Sequence, residues 1–223
     1  MRFKAVLFDL DGTLADTAPD LGGALNALLV ERGHPERALA SLRPYTSAGT
    51  RGMLRAGFGV QPGDADYADL AARFLELYAE RLCVDTEVFP ALVPVLDTLD
   101  THGVPWGIVT NKPRRFTEPL VDALGLTARC ACIVSGDSTD HPKPAPDSLL
   151  LAATLCDLPP ADALYVGDDL RDVQAGAAAG MATVAAAWGY LGVDTPIEHW
   201  GADWTIQHPA ELATICGLAL ATS

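Results

Sequence analysis

The sequence predicts an α/β fold, a parallel sheet core carrying an inserted all-helical cap. Three observations predict it. A short apolar run, Ala5 to Phe8, opens the chain and ends in acids. From about Phe89 onward, similar runs alternate with stretches of helical periodicity, the rhythm of strands joined by right-handed crossovers. Between these two regions, residues 16–84 show helical spacing and no clear strand.

The first run reads as a strand buried on both faces, because its residues are apolar without alternation. Asp9 and Asp11 follow at its carboxyl end. Residues two apart on an extended chain point to one side, at a separation of about 7 Å, so both acids can face one small space. Open α/β sheets put their ligands at the carboxyl ends of their strands. Asp-Gly is also a common turn pair, but a turn needs one acid rather than two flanking a leucine.

In the insert, Leu21, Leu25, Leu28 and Leu29 recur at helical spacing until Gly33-His34-Pro35 stops them. Ala68, Ala71, Ala72, Leu75 and Tyr78 repeat the pattern. Arg43-Pro44 and several glycines break the chain between them into short pieces. Five arginines and one acid fall in residues 32–55. Arg43 and Arg51 flank Thr46 to Thr50, where guanidinium and backbone together can meet a substrate. Hung from two connectors, the insert is expected to move relative to the core.

The core resumes after Phe89-Pro90 with a helix over Leu92 to Leu99. Strands are expected over Trp106 to Thr110, Cys132 to Val134, Ala163 to Val166 and Ala182 to Ala185. Helices are expected after Pro113, over Leu149 to Leu155, and from Asp169 to Gly180. Ala202 to Ile206 reads as an edge strand and Pro209 to Cys216 as a closing helix. The uncharged stretch from Ala175 to Val193 is mostly Ala and Gly, too weakly apolar for a membrane span, and reads as helix end, strand and loop.

Composition narrows the function. The 223 residues are 49% hydrophobic, enough for a sizeable core, and the net charge is −14. Such an acidic chain is a poor partner for nucleic acid or an anionic membrane. The five cysteines are odd in number, and the Cys130-x-Cys132 pair lacks zinc-type partners, so they read as small apolar residues of a reducing cytoplasm. The run after Lys4 is too short for a secretory leader, and a cytoplasmic location is expected.

Three later strands end in groups suited to phosphoryl transfer. Thr110 and Asn111 offer a hydroxyl and an amide. Lys143 sits among three prolines that stiffen its loop. Asp168, Asp169 and Asp172 follow Val166-Gly167. With Asp9-Leu10-Asp11-Gly12-Thr13-Leu14, these resemble the four motifs of the haloacid dehalogenase superfamily, specifically its phosphatases, over essentially the whole chain. The resemblance implies a Rossmann-like core of residues 1–15 and 85–223 with a helical cap at 16–84. It implies Asp9 as the nucleophile that forms an aspartyl-phosphate, and Asp11 as the acid and base. Thr110, Asn111 and Lys143 would hold phosphate. Asp9, Asp11 through its carbonyl, and Asp168 would ligate Mg²⁺, with Asp169 or Asp172 in support.

A charge count also asks for a cation. A substrate phosphate bears about −1.5 to −2 at neutral pH. Each unit repulsion at 4 Å costs about 4 kcal/mol at an effective dielectric of 20. Lys143 alone cannot offset several carboxylates, whereas a hard divalent ion with oxygen ligands can. Asp11 must begin protonated, so its surroundings are expected to raise its pKa above that of Asp9.

Within the family the layout is similar to phosphoglycolate phosphatases. Leu39 to Leu54, Trp106 to Pro119, Val166 to Asp172 and Trp200 to Asp203 look closer to the N-acetylmuramic acid 6-phosphate phosphatases of cell-wall recycling. The expected substrate is a small phosphate ester, N-acetylmuramic acid 6-phosphate ahead of 2-phosphoglycolate. Asp11 disfavours a dehalogenase, and a cap without lysine disfavours a phosphonatase. A phosphomutase or a non-catalytic phospho-acceptor are the remaining alternatives.

Overall fold

A computed structural model describes residues 2–219. Strand β1 (Ala5–Phe8) leads through β2 (Ala15–Asp16) into helices α1 (Ala18–Glu31) and α2 (Leu39–Leu42). A 3₁₀ turn over Arg43–Ala48 follows, then α3 (Gly49–Phe58) and α4 (Tyr67–Glu80). The chain returns through β3 (Glu87–Val88) to α5 (Val93–Thr101), β4 (Trp106–Val109), α6 (Arg114–Ala123) and β5 (Ile133–Val134). It closes with α7 (Asp147–Leu155), β6 (Ala163–Gly167), α8 (Leu170–Ala179), β7 (Ala182–Ala186), β8 (Trp204–Ile206) and α9 (Glu211–Cys216).

The main sheet has the order β5-β4-β1-β6-β7-β8, and every pairing in it is parallel. This is a Rossmann-like α/β core with helices on both faces. Alternation along β1 supplies both sides: Val6 and Phe8 enter one apolar cluster with Trp106 and Leu96, while Leu7 enters another with Tyr165 and Leu149. Because β1 lies between β4 and β6, Asp9 emerges where three strand ends meet.

The helices between β2 and β3 bury a core of their own. Leu21, Leu25 and Leu28 of α1 pack with Met53 and Leu54 of α3 and with Phe74 and Leu77 of α4. Phe116 of α6 joins that cluster, so the helical layer is seated on the core rather than detached from it.

The structure departs from the sequence reading in detail. The helix expected from Leu92 begins at Val93, and the closing helix at Glu211 rather than Pro209. The pieces expected around Gly49 and Gly57 form one continuous helix, α3. The connectors are also more ordered than expected. Ala15 pairs with Val88 and Asp16 with Glu87 in an antiparallel ribbon of two residues a side.

Below the ribbon the buried carboxylate of Asp20 accepts hydrogen bonds from the backbone of Val84 (3.0 Å), Asp85 (3.0 Å) and Thr86 (2.9 Å) and from the Thr86 hydroxyl (2.7 Å). One acid on α1 thus fixes the path of the returning chain. Removing it orphans several buried donors. Asp20→Ala is expected to lower stability by about 2–4 kcal/mol, measured by urea unfolding. A change below a few tenths would show that the clamp contributes nothing.

Candidate active site

The site is assembled where β1, β4 and β6 end. Asp9 leaves β1 with its amide bonded to Val166 O at 2.9 Å, so the sheet ladder itself sets the position of its carboxylate. Asp168 follows β6 and Asp172 occupies the first turn of α8. One carboxylate oxygen from each of Asp9, Asp168 and Asp172 lies within 4.8 Å of the others, and all three residues are buried. Gly12 makes this approach possible. Its φ is +87°, and a Cβ there would stand 2.3 Å from Asp168 Oδ2.

Asp168 is held from three directions. Thr13 Oγ1 donates to Oδ1 at 3.0 Å, the Tyr190 amide to Oδ2 at 2.7 Å and Ser47 Oγ to Oδ2 at 3.1 Å. Ser47 belongs to the helical layer, so that layer closes directly onto the acid cluster.

Lys143 is the one buried cation among these acids. Its Nζ lies 2.7 Å from Asp172 and 2.9 Å from Asp9, and also donates to Val109 O at 3.0 Å. Burial pulls an ammonium pKa down, but the charges of Asp172 and Asp9 outweigh that and leave Lys143 above its ordinary value. Asp9 Oδ1, though close to Nζ, is poorly aligned for a hydrogen bond and has no donor among the described residues. Burial, ahead of the compensating Lys143 charge, raises the Asp9 carboxyl to about 7. The Asp168 carboxyl is raised well above its usual range by burial and by the charges of Asp9 and Asp172.

The remaining expected residues divide by what they touch. Thr110, buried and facing the same cavity, accepts the Lys112 amide at 3.1 Å. Asn111 spends its amide on the lysine loop, donating to Lys143 O and accepting from Lys143 N, each at 2.9 Å. Asp169 caps α8 and is bound by Arg171 through Nε at 2.8 Å; it lines the cavity but is not one of the three converging acids. Arg43 is tied to Asp16 by two hydrogen bonds and does not line the cavity. Arg51 does line it.

Asp11 is half-buried, with Lys112 Nζ 2.9 Å from Oδ1 and the Thr17 hydroxyl donating at 2.6 Å. Burial raises the carboxyl of Asp9, which the sequence reading places as the lower of the pair.

Sequence reasoning gave no role to Lys112, Ser47 or Arg171. Lys112 follows Thr110-Asn111 directly, and its Nζ also lies 4.6 Å from the Tyr78 ring of α4. Arg171 donates to Ser47 O at 2.8 Å, linking the core to the 3₁₀ turn. A cavity of about 280 Å³ lies between the layers, bounded by Asp9, Lys143 and Thr110 below and by Thr46 to Arg51 above.

This arrangement matches a family model. Residues 6–186 fit the haloacid dehalogenase-like hydrolases. The chain belongs to that family, on its phosphatase branch. The phosphatase is 40% identical over 220 residues to an N-acetylmuramic acid 6-phosphate phosphatase of Pseudomonas putida, covering 99% of each chain. It is 44% identical over 214 residues to a phosphoglycolate phosphatase of Xanthomonas campestris, covering 95% of this chain and 96% of that one. A solved structure of a predicted phosphoglycolate phosphatase from Haemophilus somnus superposes with a TM-score of 0.84 at 26% identity, over 97% of this chain and 99% of that one.

The acid cluster suits a divalent cation: three carboxylates converge, and one of their oxygens lacks a donor. Proton linkage gives a check. The folded phosphatase keeps a proton on Asp9 up to about pH 7, whereas the ordinary carboxyl releases it near 3.8. The folded state therefore binds more protons across that window, and this group's contribution to stability falls as pH rises through it. The Tm of metal-free protein is expected to drop from about pH 5 to about pH 7.5 through this term. Added Mg²⁺ is expected to raise Tm more at the higher pH, because there it does not compete with protons. An equal rise at both pH values would contradict the assignment.

Proposed function

We propose that this phosphatase is a Mg²⁺-dependent phosphomonoester hydrolase that works through an aspartyl-phosphate on Asp9. The observation that carries the reading is the buried carboxylate of Asp9 lying against both Lys143 and the Asp168–Asp172 pair. Residues 1–15 and 85–223 serve as the catalytic core and residues 16–84 as its cap. Asp9, Asp168 and the carbonyl of Asp11 would hold the cation, with Asp172 in support. Bound there, Mg²⁺ supplies positive charge against both the carboxylates and the substrate phosphate.

The chain's own groups then divide the work. Asp9 Oδ attacks phosphorus in line with the departing ester oxygen. Lys143 and the Thr110 hydroxyl neutralise and orient the phosphoryl oxygens, while Asn111 keeps the lysine loop in place. Asp11 gives its proton to the leaving oxygen, then takes one from the water that hydrolyses the phosphoaspartate. Lys112 and Thr17 hold that carboxyl in position. Ser47 and Arg171 keep the cap seated, which excludes water from the cavity.

For substrate, we favour N-acetylmuramic acid 6-phosphate, supported by the relative that matches this chain end to end. The second reading, 2-phosphoglycolate, is supported by the higher identity to the Xanthomonas campestris relative. A role in cytoplasmic carbohydrate recycling accords with the five unbridged cysteines, and no helix of the described residues is long and apolar enough to cross a membrane.

Phosphate release from the two esters, with Mg²⁺ and with a chelator, tests the reading. Turnover is expected only with the metal, faster on the sugar phosphate. Asp9→Asn is expected to reduce it by at least about 10³-fold, the scale on which covalent nucleophiles act. Retained turnover in Asp9→Asn would exclude the covalent route, and a strong preference for 2-phosphoglycolate would reverse the substrate choice.

A further inference from the structure

The chain has fifteen Lys and Arg residues, all within the described range. Fourteen are engaged: in ion pairs, in side-chain hydrogen bonds such as Arg37 to Gly57 O, or over aromatic rings as Arg2 and Arg115 are. Arg51 alone makes no such contact among the described residues. Arg51 is exposed, and its uncommitted guanidinium, lining the cavity over Asp9 in a chain of net charge −14, is free to meet an anion that enters there.

Its surroundings indicate the shape of that ligand. Arg51 stands on the first turn of α3, fixed by Gly52, where a Cβ would lie 2.0 Å from Tyr45 O. It borders two spaces. One is the cavity of about 280 Å³ over Asp9; the other is an adjoining cleft of about 680 Å³. Ala48, Arg51, Asp169 and Arg171 line both. The cleft adds Tyr45, Gln61, Thr195 and Trp200, a mixture of aromatic surface and hydrogen-bonding groups suited to a polar ring. Of its other charges, Arg171 is neutralised by Asp169, and Arg55 faces Asp194 at 3.8 Å.

We propose that Arg51 is a specificity residue that binds a carboxylate on the leaving group, and that the cleft beyond it receives the ring carrying that carboxylate. The substrate class is a phosphate ester of a carboxylated sugar. This rests on the phosphatase reading of the Asp9 site. A small phospho-acid occupies the first cavity alone and leaves the cleft unused.

Steady-state kinetics on four phosphate esters test the proposal: N-acetylmuramic acid 6-phosphate, N-acetylglucosamine 6-phosphate, which has the ring without the carboxylate, 2-phosphoglycolate, and fructose 1,6-bisphosphate, whose second anion is a phosphate. Wild type is expected to select the first. Arg51→Gln is expected to lower the selectivity of kcat/KM for the first ester over the second by about tenfold or more, through KM. Arg51→Lys should restore part of that ratio, and unchanged circular dichroism and Tm would show that both variants fold. An equal loss on both ring esters overturns the carboxylate role. Preference for the bisphosphate replaces the carboxylate by a second phosphate and also overturns it. If 2-phosphoglycolate is preferred and responds to Arg51→Gln, the ring cleft is overturned. No turnover of any ester by wild type defeats the phosphatase reading of the Asp9 site, a different failure from these.

Discussion

The constraint on which the site depends is electrostatic: three carboxylates are buried at one strand-end junction with a single ammonium between them. Asp9, Asp168 and Asp172 are all below a tenth exposed, and Lys143 is the buried cation that touches two of them. Three negative charges against one positive leave an excess, and in a dry interior that excess is costly. The molecule relieves part of it by raising the Asp9 and Asp168 carboxyls, so that protons stand in for missing positive charge. Replacing those protons with a divalent ion restores balance, and the negative charge that a phosphate ester then brings is held by that ion and Lys143.

The fold serves this constraint at each level. A parallel sheet brings three strand ends together, and its ladder fixes Asp9 before any side chain is considered. Asn111 uses both ends of its amide to pin the Lys143 loop, which stops the ammonium from following solvent. The helical layer adds Ser47 above Asp168 and is itself aligned by the short ribbon and by Asp20. These contacts connect leaving-group recognition to the place where charge is concentrated.

Much of the core was legible in the sequence because parallel strands carry their own mark. Ala5 to Phe8, Trp106 to Val109 and Ala163 to Gly167 are short apolar runs, and each is followed within a few residues by an acid or a hydroxyl. Asp168 stood out for the same reason, and Lys143 by the three prolines around it. The ribbon did not, since two residues a side are too few to show a period. Asp20 reads as an ordinary acid in the first turn of a helix, and its partners lie 64 to 66 residues away. Lys112 was hidden differently: a lysine after a strand is normally solvated, and only the fold brings it to Asp11. Asp169 and Asp172 could not be separated by sequence, because their roles depend on which way the first turn of α8 faces.

The central claim is that the Asp9 carboxylate is esterified during turnover. The most direct measurement is acid quenching of the enzyme under steady turnover, followed by borohydride reduction and peptide mass spectrometry. Phosphoaspartate is reduced to homoserine, so the account predicts homoserine at position 9 only when substrate and Mg²⁺ are present. Unmodified aspartate at that position in enzyme shown to be releasing phosphate, or homoserine at another acid, would contradict it.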